Sequence, residues 1–161
     1  MELHEQLKVA IDLANTYHDG QVDKAGLPYI LHPLHVMNNV DGLEAKIVAI
    51  LHDMIEDTAI TAEDLISYGF DSNIVNAIVA ITKVNGISYD DYLKRVKTNE
   101  LARIVKLADL SHNMDMTRLP NPTKRDYQRL EKYKKAYEYL MDFEERVVLG
   151  DNALEESINV L

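Results

Sequence analysis

Leu43-Glu44-Ala45-Lys46-Ile47-Val48-Ala49-Ile50-Leu51-His52-Asp53-Met54-Ile55-Glu56-Asp57 decides the fold. Ile47 to Leu51 is apolar all round, which a helix tolerates only where other elements surround it. The stretch reads as one central helix from Leu43 to Asp57. At 3.6 residues per turn His52 lies over Glu56, and Asp53 over Asp57. Neighbours along the chain differ by ~100° around the axis, so all four side chains fall in one sector. Three carboxylates and an imidazole there are expensive to bury. Either a metal ion compensates them or the helix end faces solvent, and the segment alone allows both.

On both sides of this stretch the dominant signal is helical. Leu3, Leu7, Ala10, Ile11, Ala14 and Tyr17 form a stripe at 3–4 spacing. Asp19 to Pro28 is a polar loop with two glycines. Pro33 suits the first turn of a helix to about Asn39, and Asp41-Gly42 breaks it. Capping-box patterns open three later helices at Thr61-x-x-Asp64, Ser88-x-x-Asp91 and Thr123-x-x-Asp126, the last running to about Phe143. Asp71 and Asn99 are placed to cap two more. No alternating strand is present. The expectation is an all-α, single-domain fold of seven to nine helices spanning 1–150, with 151–161 a tail or short helix.

Composition narrows the chemistry. The 161 residues contain no cysteine, which excludes disulfides, thiolate metal sites and cysteine nucleophiles. No apolar run approaches the roughly 20 residues of a membrane span, and the N-terminus lacks a signal-peptide pattern. A cytoplasmic protein with no membrane partner is expected. Net charge is −10, and all of it lies in residues 1–82, with 3 basic and 13 acidic residues; residues 83–161 carry 14 of each. Such a field disfavours nucleic acid. It also repels phosphorylated small molecules unless a cation and local Lys or Arg side chains overcome it.

Two further segments bear on the metal question. Pro28-Tyr29-Ile30-Leu31-His32-Pro33 sets His32 in a Pro-bounded loop-to-helix start. Asp109 sits inside the apolar helix Val105-Lys106-Leu107-Ala108-Asp109-Leu110-Ser111-His112-Asn113, where an unpaired carboxylate is costly. It reads as a metal ligand in preference to a buried partner of Lys106 or Arg103. His32, His52, Asp53 and Asp109 make a mixed N/O set without sulfur. That suits one divalent ion of the Mn²⁺, Fe²⁺, Co²⁺ or Mg²⁺ kind, with Zn²⁺ possible. Open coordination positions would make it catalytic, with Glu56 or Asp57 serving an attacking water.

These residues follow the H…HD…D pattern of HD-superfamily metal-dependent phosphohydrolases. His18-x-Gly20-Gln21, Gly26-Leu27-Pro28-Tyr29-Ile30-Leu31-His32-Pro33, Leu51-His52-Asp53-Met54-Ile55-Glu56-Asp57-Thr58, Thr82-Lys83 and Lys106-Leu107-Ala108-Asp109-Leu110-Ser111-His112-Asn113-Met114 resemble the hydrolase domain of RelA/SpoT-type proteins, which cleave the 3′-pyrophosphate of (p)ppGpp. The resemblance implies a helical fold and Mn²⁺ on His32, His52, Asp53 and Asp109. It implies that Glu56 and Asp57 are catalytic, that Lys24 and Asn113 contact the nucleotide, and that the chain is a stand-alone small alarmone hydrolase. Two departures fall on substrate-facing motifs. Asp23-Lys24 stands where the family has Arg-Lys, and that Arg is expected to stack on guanine. Asp115-Met116 stands where the family continues Arg-Thr, with Thr117-Arg118 beyond. An aspartate at 23 would repel phosphate, which leaves open another nucleotide or dinucleotide phosphate as substrate, or a sensor without turnover.

The helix from Thr123 concentrates Lys124, Arg125, Arg129, Lys132, Lys134 and Lys135. It reads as an amphipathic core helix with a solvated basic face, in preference to a phosphate-binding wall.

Overall fold

A computed structural model describes the backbone of residues 1–156 and the side chains of residues 1–142. Nine α-helices and a 3-10 turn make up the described chain: α1 (Leu3–Tyr17), α2 (Leu31–Asn38), α3 (Leu43–Leu51), α4 (Met54–Asp57), α5 (Ala62–Ser67), α6 (Ser72–Ile81), α7 (Tyr89–Lys97), α8 (Glu100–Asn113), the turn Met116–Arg118 and α9 (Lys124–Glu156). Among the described residues there is no strand, only an isolated bridge between Val22 and Pro28. The all-α expectation holds. No described helix is long and apolar enough to cross a membrane.

α3 is the hub. Ile47 to Leu51 are each 0% exposed, and α3 packs against α1, α2, α6 and α8. Each such aliphatic side chain contributes roughly 1.5–3 kcal/mol by leaving water. α8 is the second axis, touching α2, α3, α6, α7 and α9. The two central helices bring residues near 52 and 109 together although they are far apart in sequence.

Local chemistry starts the helices where the sequence places them. Thr61, Ser88 and Thr123 accept the N–H of Asp64, Asp91 and Asp126, and Asn99 accepts that of Ala102. Asp71 holds the N-cap position of α6 without a side-chain cap bond. Its own N–H donates to Gln6 Oε1 at 3.0 Å, which explains why Gln6 is buried in α1. The buried stripe of α1 is therefore Gln6, Ala10, Leu13 and Ala14, while Tyr17 is exposed. Gly42, at φ 90°, leads into α3 through a conformation that side chains resist.

Two boundaries differ from the sequence reading. The helix expected from Leu43 to Asp57 breaks after Leu51 and resumes at Met54. The Ala49 carbonyl, which a continuing helix would give to the Asp53 N–H, instead accepts the His52 ring Nδ1–H at 2.6 Å. Asp53 turns at φ −102°, ψ 3°. His52, Asp53, Glu56 and Asp57 thus do not share one helical sector. The helix expected to end near Phe143 runs on to Glu156. The boundary drawn at residue 150 falls within it, and 157–161 lie outside the described residues.

Candidate active site

One cleft of about 500 Å³ takes its lining from the 22–29 loop, the starts of α2 and α4, and α8, the 115–119 segment and α9. Lys24, His32, His52, Asp53, Glu56, Asp57, Asp109 and Asn113 all line it. The eight residues singled out from sequence are brought together without exception.

At the floor, His32 Nε2 lies 2.8 Å from Asp109 Oδ1, and His52 Nε2 lies 3.4 Å from the same oxygen and 3.2 Å from Asp53 Oδ2. His32, His52 and Asp109 are buried and offer ligand atoms all within 4.8 Å of one another. Asp53 stands beside this group through His52.

The donor chemistry fits a cation. Because a carbonyl only accepts, the His52 bond to Ala49 puts the proton on Nδ1. Nε2 is then buried, without a hydrogen-bond partner, and facing carboxylate oxygens. A neutral imidazole would turn its lone pair on those oxygens, so a positive charge belongs there. Burial works against the imidazolium, yet the Asp53 and Asp109 charges override it and lift His52 well above its ordinary value. Asp53 is likewise opposed by burial but is lowered to about 2 by the His52 charge.

A shell of side chains orients these groups. Tyr29 Oη donates to Asp53 Oδ2, and burial together with the Asp53 charge keeps that phenol protonated. His32 Nδ1 and His112 Nδ1 share one proton at 2.8 Å. Burial and the Arg118 charge lower His112 to about 4, so it stays neutral. Lys106 Nζ donates to Asp109 Oδ2 at 2.9 Å and Asn113 Nδ2 to Oδ1 at 3.1 Å. Asp109 therefore has its lysine partner and still turns Oδ1 to both histidines. The sequence reading set those roles against each other.

Glu56 and Asp57 open to the cleft. Glu56 Oε1 accepts the Lys83 N–H at 3.3 Å. Gln21, whose Oε1 accepts from His18 at 2.8 Å, donates to the Asp57 carbonyl at 3.1 Å. Burial, with the Asp53 and Glu56 charges, raises Asp57 to about 6.

The wall and mouth hold cations. Lys24 Nζ reaches Asp126 Oδ1 at 3.0 Å, and Arg129 meets the same oxygen at 3.1 Å. Lys132 Nζ sits 4.1 Å from the Tyr89 ring centroid. Arg129, Lys132 and Tyr133 of α9 line the cleft, so this part of the basic face is site wall rather than a solvated surface. Asp23 does not present a bare charge to the cleft. Its Oδ1 accepts the Ala25 and Leu27 N–H groups at 2.9 Å each, and its Oδ2 lies 3.8 Å from Arg118.

Sequence reasoning assigned no role to Tyr29, Gln21, His112, Lys83 or Arg118. His112 lies three residues from Asp109 on α8, so helical spacing could have flagged it, whereas Tyr29 lies in the turn before α2. Arg118 has no such local signal.

Residues 10–135 match the HD domain family model, and the chain belongs to that family. It is homologous to hydrolase-containing RelA/SpoT-type proteins. It is 30% identical over 121 residues to a guanosine-3′,5′-bis(diphosphate) 3′-pyrophosphohydrolase of Borreliella burgdorferi, covering 65% of this chain and 18% of that protein. It is 34% identical over 121 residues to the Aquifex aeolicus protein of the same name, covering 69% and 17%. It is 36% identical over 126 residues to a Myxococcus xanthus GTP pyrophosphokinase, covering 67% and 16%. The chain thus spans less than a fifth of the length of these curated relatives. A solved structure, described as a metazoan ortholog of SpoT that hydrolyses ppGpp, shares the fold at TM-score 0.66 and 20% identity, covering 82% of this chain and 83% of its own. HD domains are metal-dependent, and the His32, His52 and Asp109 group is where this chain would hold an ion.

Proposed function

We propose that this chain is a metal-dependent hydrolase that removes the 3′-pyrophosphate from (p)ppGpp. The observation that carries the reading is a single cleft whose floor is a buried His/Asp group and whose wall is cationic. The activity for which the pyrophosphohydrolase relatives are named supports this choice of substrate.

His32, His52, Asp53 and Asp109 would hold the ion, which we assign as Mn²⁺. Such an ion supplies Lewis-acid polarisation of a phosphate oxygen and makes a bound water more acidic. The chain's own residues do the rest. Asp57, raised to about 6, is ionised at neutral pH yet basic enough to take a proton from the attacking water. Glu56, held by the Lys83 N–H, orients that water. The water oxygen bonds to phosphorus, the bond from phosphorus to the ribose 3′ oxygen breaks, and pyrophosphate and a 3′-hydroxyl result. Lys24 and Asn113 hold the nucleotide, and the cationic wall screens the acidic field of residues 1–82 from it.

The test is phosphate and pyrophosphate release in Mn²⁺, with chelator controls, from ppGpp, pppGpp, NADPH, dinucleoside polyphosphates and deoxynucleotides. Pyrophosphate from ppGpp is the expected result. Release only from another member would keep the metal chemistry and move the substrate. Silence across the panel with metal bound would contradict hydrolysis and favour a nucleotide sensor.

A further inference from the structure

Asp23 and Arg118 stand at two separate points where the sequence departs from its resemblance, and the fold puts them side by side. The two ends of the Arg118 guanidinium are held unequally. Nη1 donates to the His112 carbonyl at 3.0 Å and lies 3.4 Å from Asn113 Oδ1. Among the described residues Nη2 has only Asp23 Oδ2, at 3.8 Å, too long for a hydrogen bond. A pair this long and partly exposed, with side chains 26% and 19% accessible, contributes little. Asp23 can release it readily, because Oδ1 stays bonded to the Ala25 and Leu27 N–H groups and the loop keeps its shape.

Arg118 is also linked to the floor. Asn113 bonds Asp109 Oδ1 through Nδ2 and faces Arg118 through Oδ1. Asp109, Asn113 and Arg118 line the same cleft, so it offers a path from the floor past Asn113 to Arg118. What already sits at Nη2 is an anionic oxygen.

We infer that Arg118 is a specificity-determining residue: its Nη2 exchanges the Asp23 carboxylate for a phosphate oxygen on the non-reacting part of the substrate. The favoured substrate class is then a nucleotide with a second phosphate group remote from the one cleaved. This rests on the proposed hydrolase reading, and Asp23 acts as the competitor that an incoming anion displaces.

The experiment measures ppGpp affinity by calorimetry in Mn²⁺, with Glu56→Gln in every protein to suppress turnover. The second ligand is the analogue with a 5′-hydroxyl in place of the 5′-diphosphate. Arg118→Ala is expected to weaken ppGpp about 10- to 100-fold and the analogue less than about 3-fold, since a charge-assisted bond is lost in one case only. Arg118→Lys should recover most of the loss. Asp23→Asn should tighten ppGpp about 2- to 5-fold by removing the competitor. A purely structural ion pair predicts weakening instead. Equal losses on both ligands, no loss on either, weaker binding in Asp23→Asn, or no ppGpp binding at all would overturn the inference. Intact binding with no hydrolysis by the otherwise unaltered chain would overturn only the hydrolase reading.

Discussion

The floor of the cleft and its mouth are built under different rules. At the floor, His32, His52 and Asp109 are 4%, 3% and 4% exposed, and nearly every polar atom has a partner that fixes it. At the mouth, the Lys24 side chain is 55% exposed, and Asp23 and Arg118 meet at 3.8 Å. Buried charges are tolerated only when geometry over-determines them, so the floor is constrained as a unit. Exposed charges contribute little to folding, so the mouth is free to change without loss of stability. On the proposed reading, the constrained region would carry the chemistry and the free one the choice of substrate.

Three substitutions sharpen that contrast. Asp57→Asn at the edge of the floor should lower kcat by about 10²- to 10⁴-fold while leaving metal affinity within about 2-fold. The pH profile gives a finer reading. Asp57 must be ionised to act, so kcat should rise with pH through about 6 and flatten above it, and the variant should lose that limb. A variant that keeps both rate and limb would remove Asp57 from the mechanism. Next, Tyr29→Phe deletes the donor to Asp53 Oδ2 and should cost roughly 10- to 100-fold in metal affinity or kcat. Lys24→Ala at the mouth should have the smallest effect. KM should rise about 3- to 10-fold and Tm should fall by no more than about 2 °C, because its pair with Asp126 is half exposed. A large stability loss in Lys24→Ala would erase the distinction between floor and mouth.

The same division explains what could be read from the sequence. Helical period and cap residues located most elements, because Thr61, Ser88, Asn99 and Thr123 act on backbone groups within a few residues. The floor was legible because histidine and aspartate inside apolar helices demand compensation wherever they fall. The break at His52 was not legible. It depends on the imidazole capturing the Ala49 carbonyl, a side-chain geometry that periodicity does not encode. Nor could the roles of Asp23 and Arg118 be read, since they lie 95 positions apart and their meaning comes from contact. Asp23 looked like a charge that would repel phosphate, and only the fold shows its Oδ1 holding backbone and its Oδ2 beside a guanidinium. The α9 cations read as a solvated face, and Arg129 and Lys132 proved to line the cleft, because a solvated face and a cleft wall share one helical spacing.

If the floor is a metal centre, the protein binds Mn²⁺ there. Calorimetric titration of chelator-treated protein should give one site per chain. Melting temperature should rise with Mn²⁺ and fall back with chelator. Asp109→Ala should abolish both responses, since it removes the oxygen both histidines face. Absence of binding in the unaltered chain, or a melting temperature indifferent to metal and chelator alike, would contradict the claim.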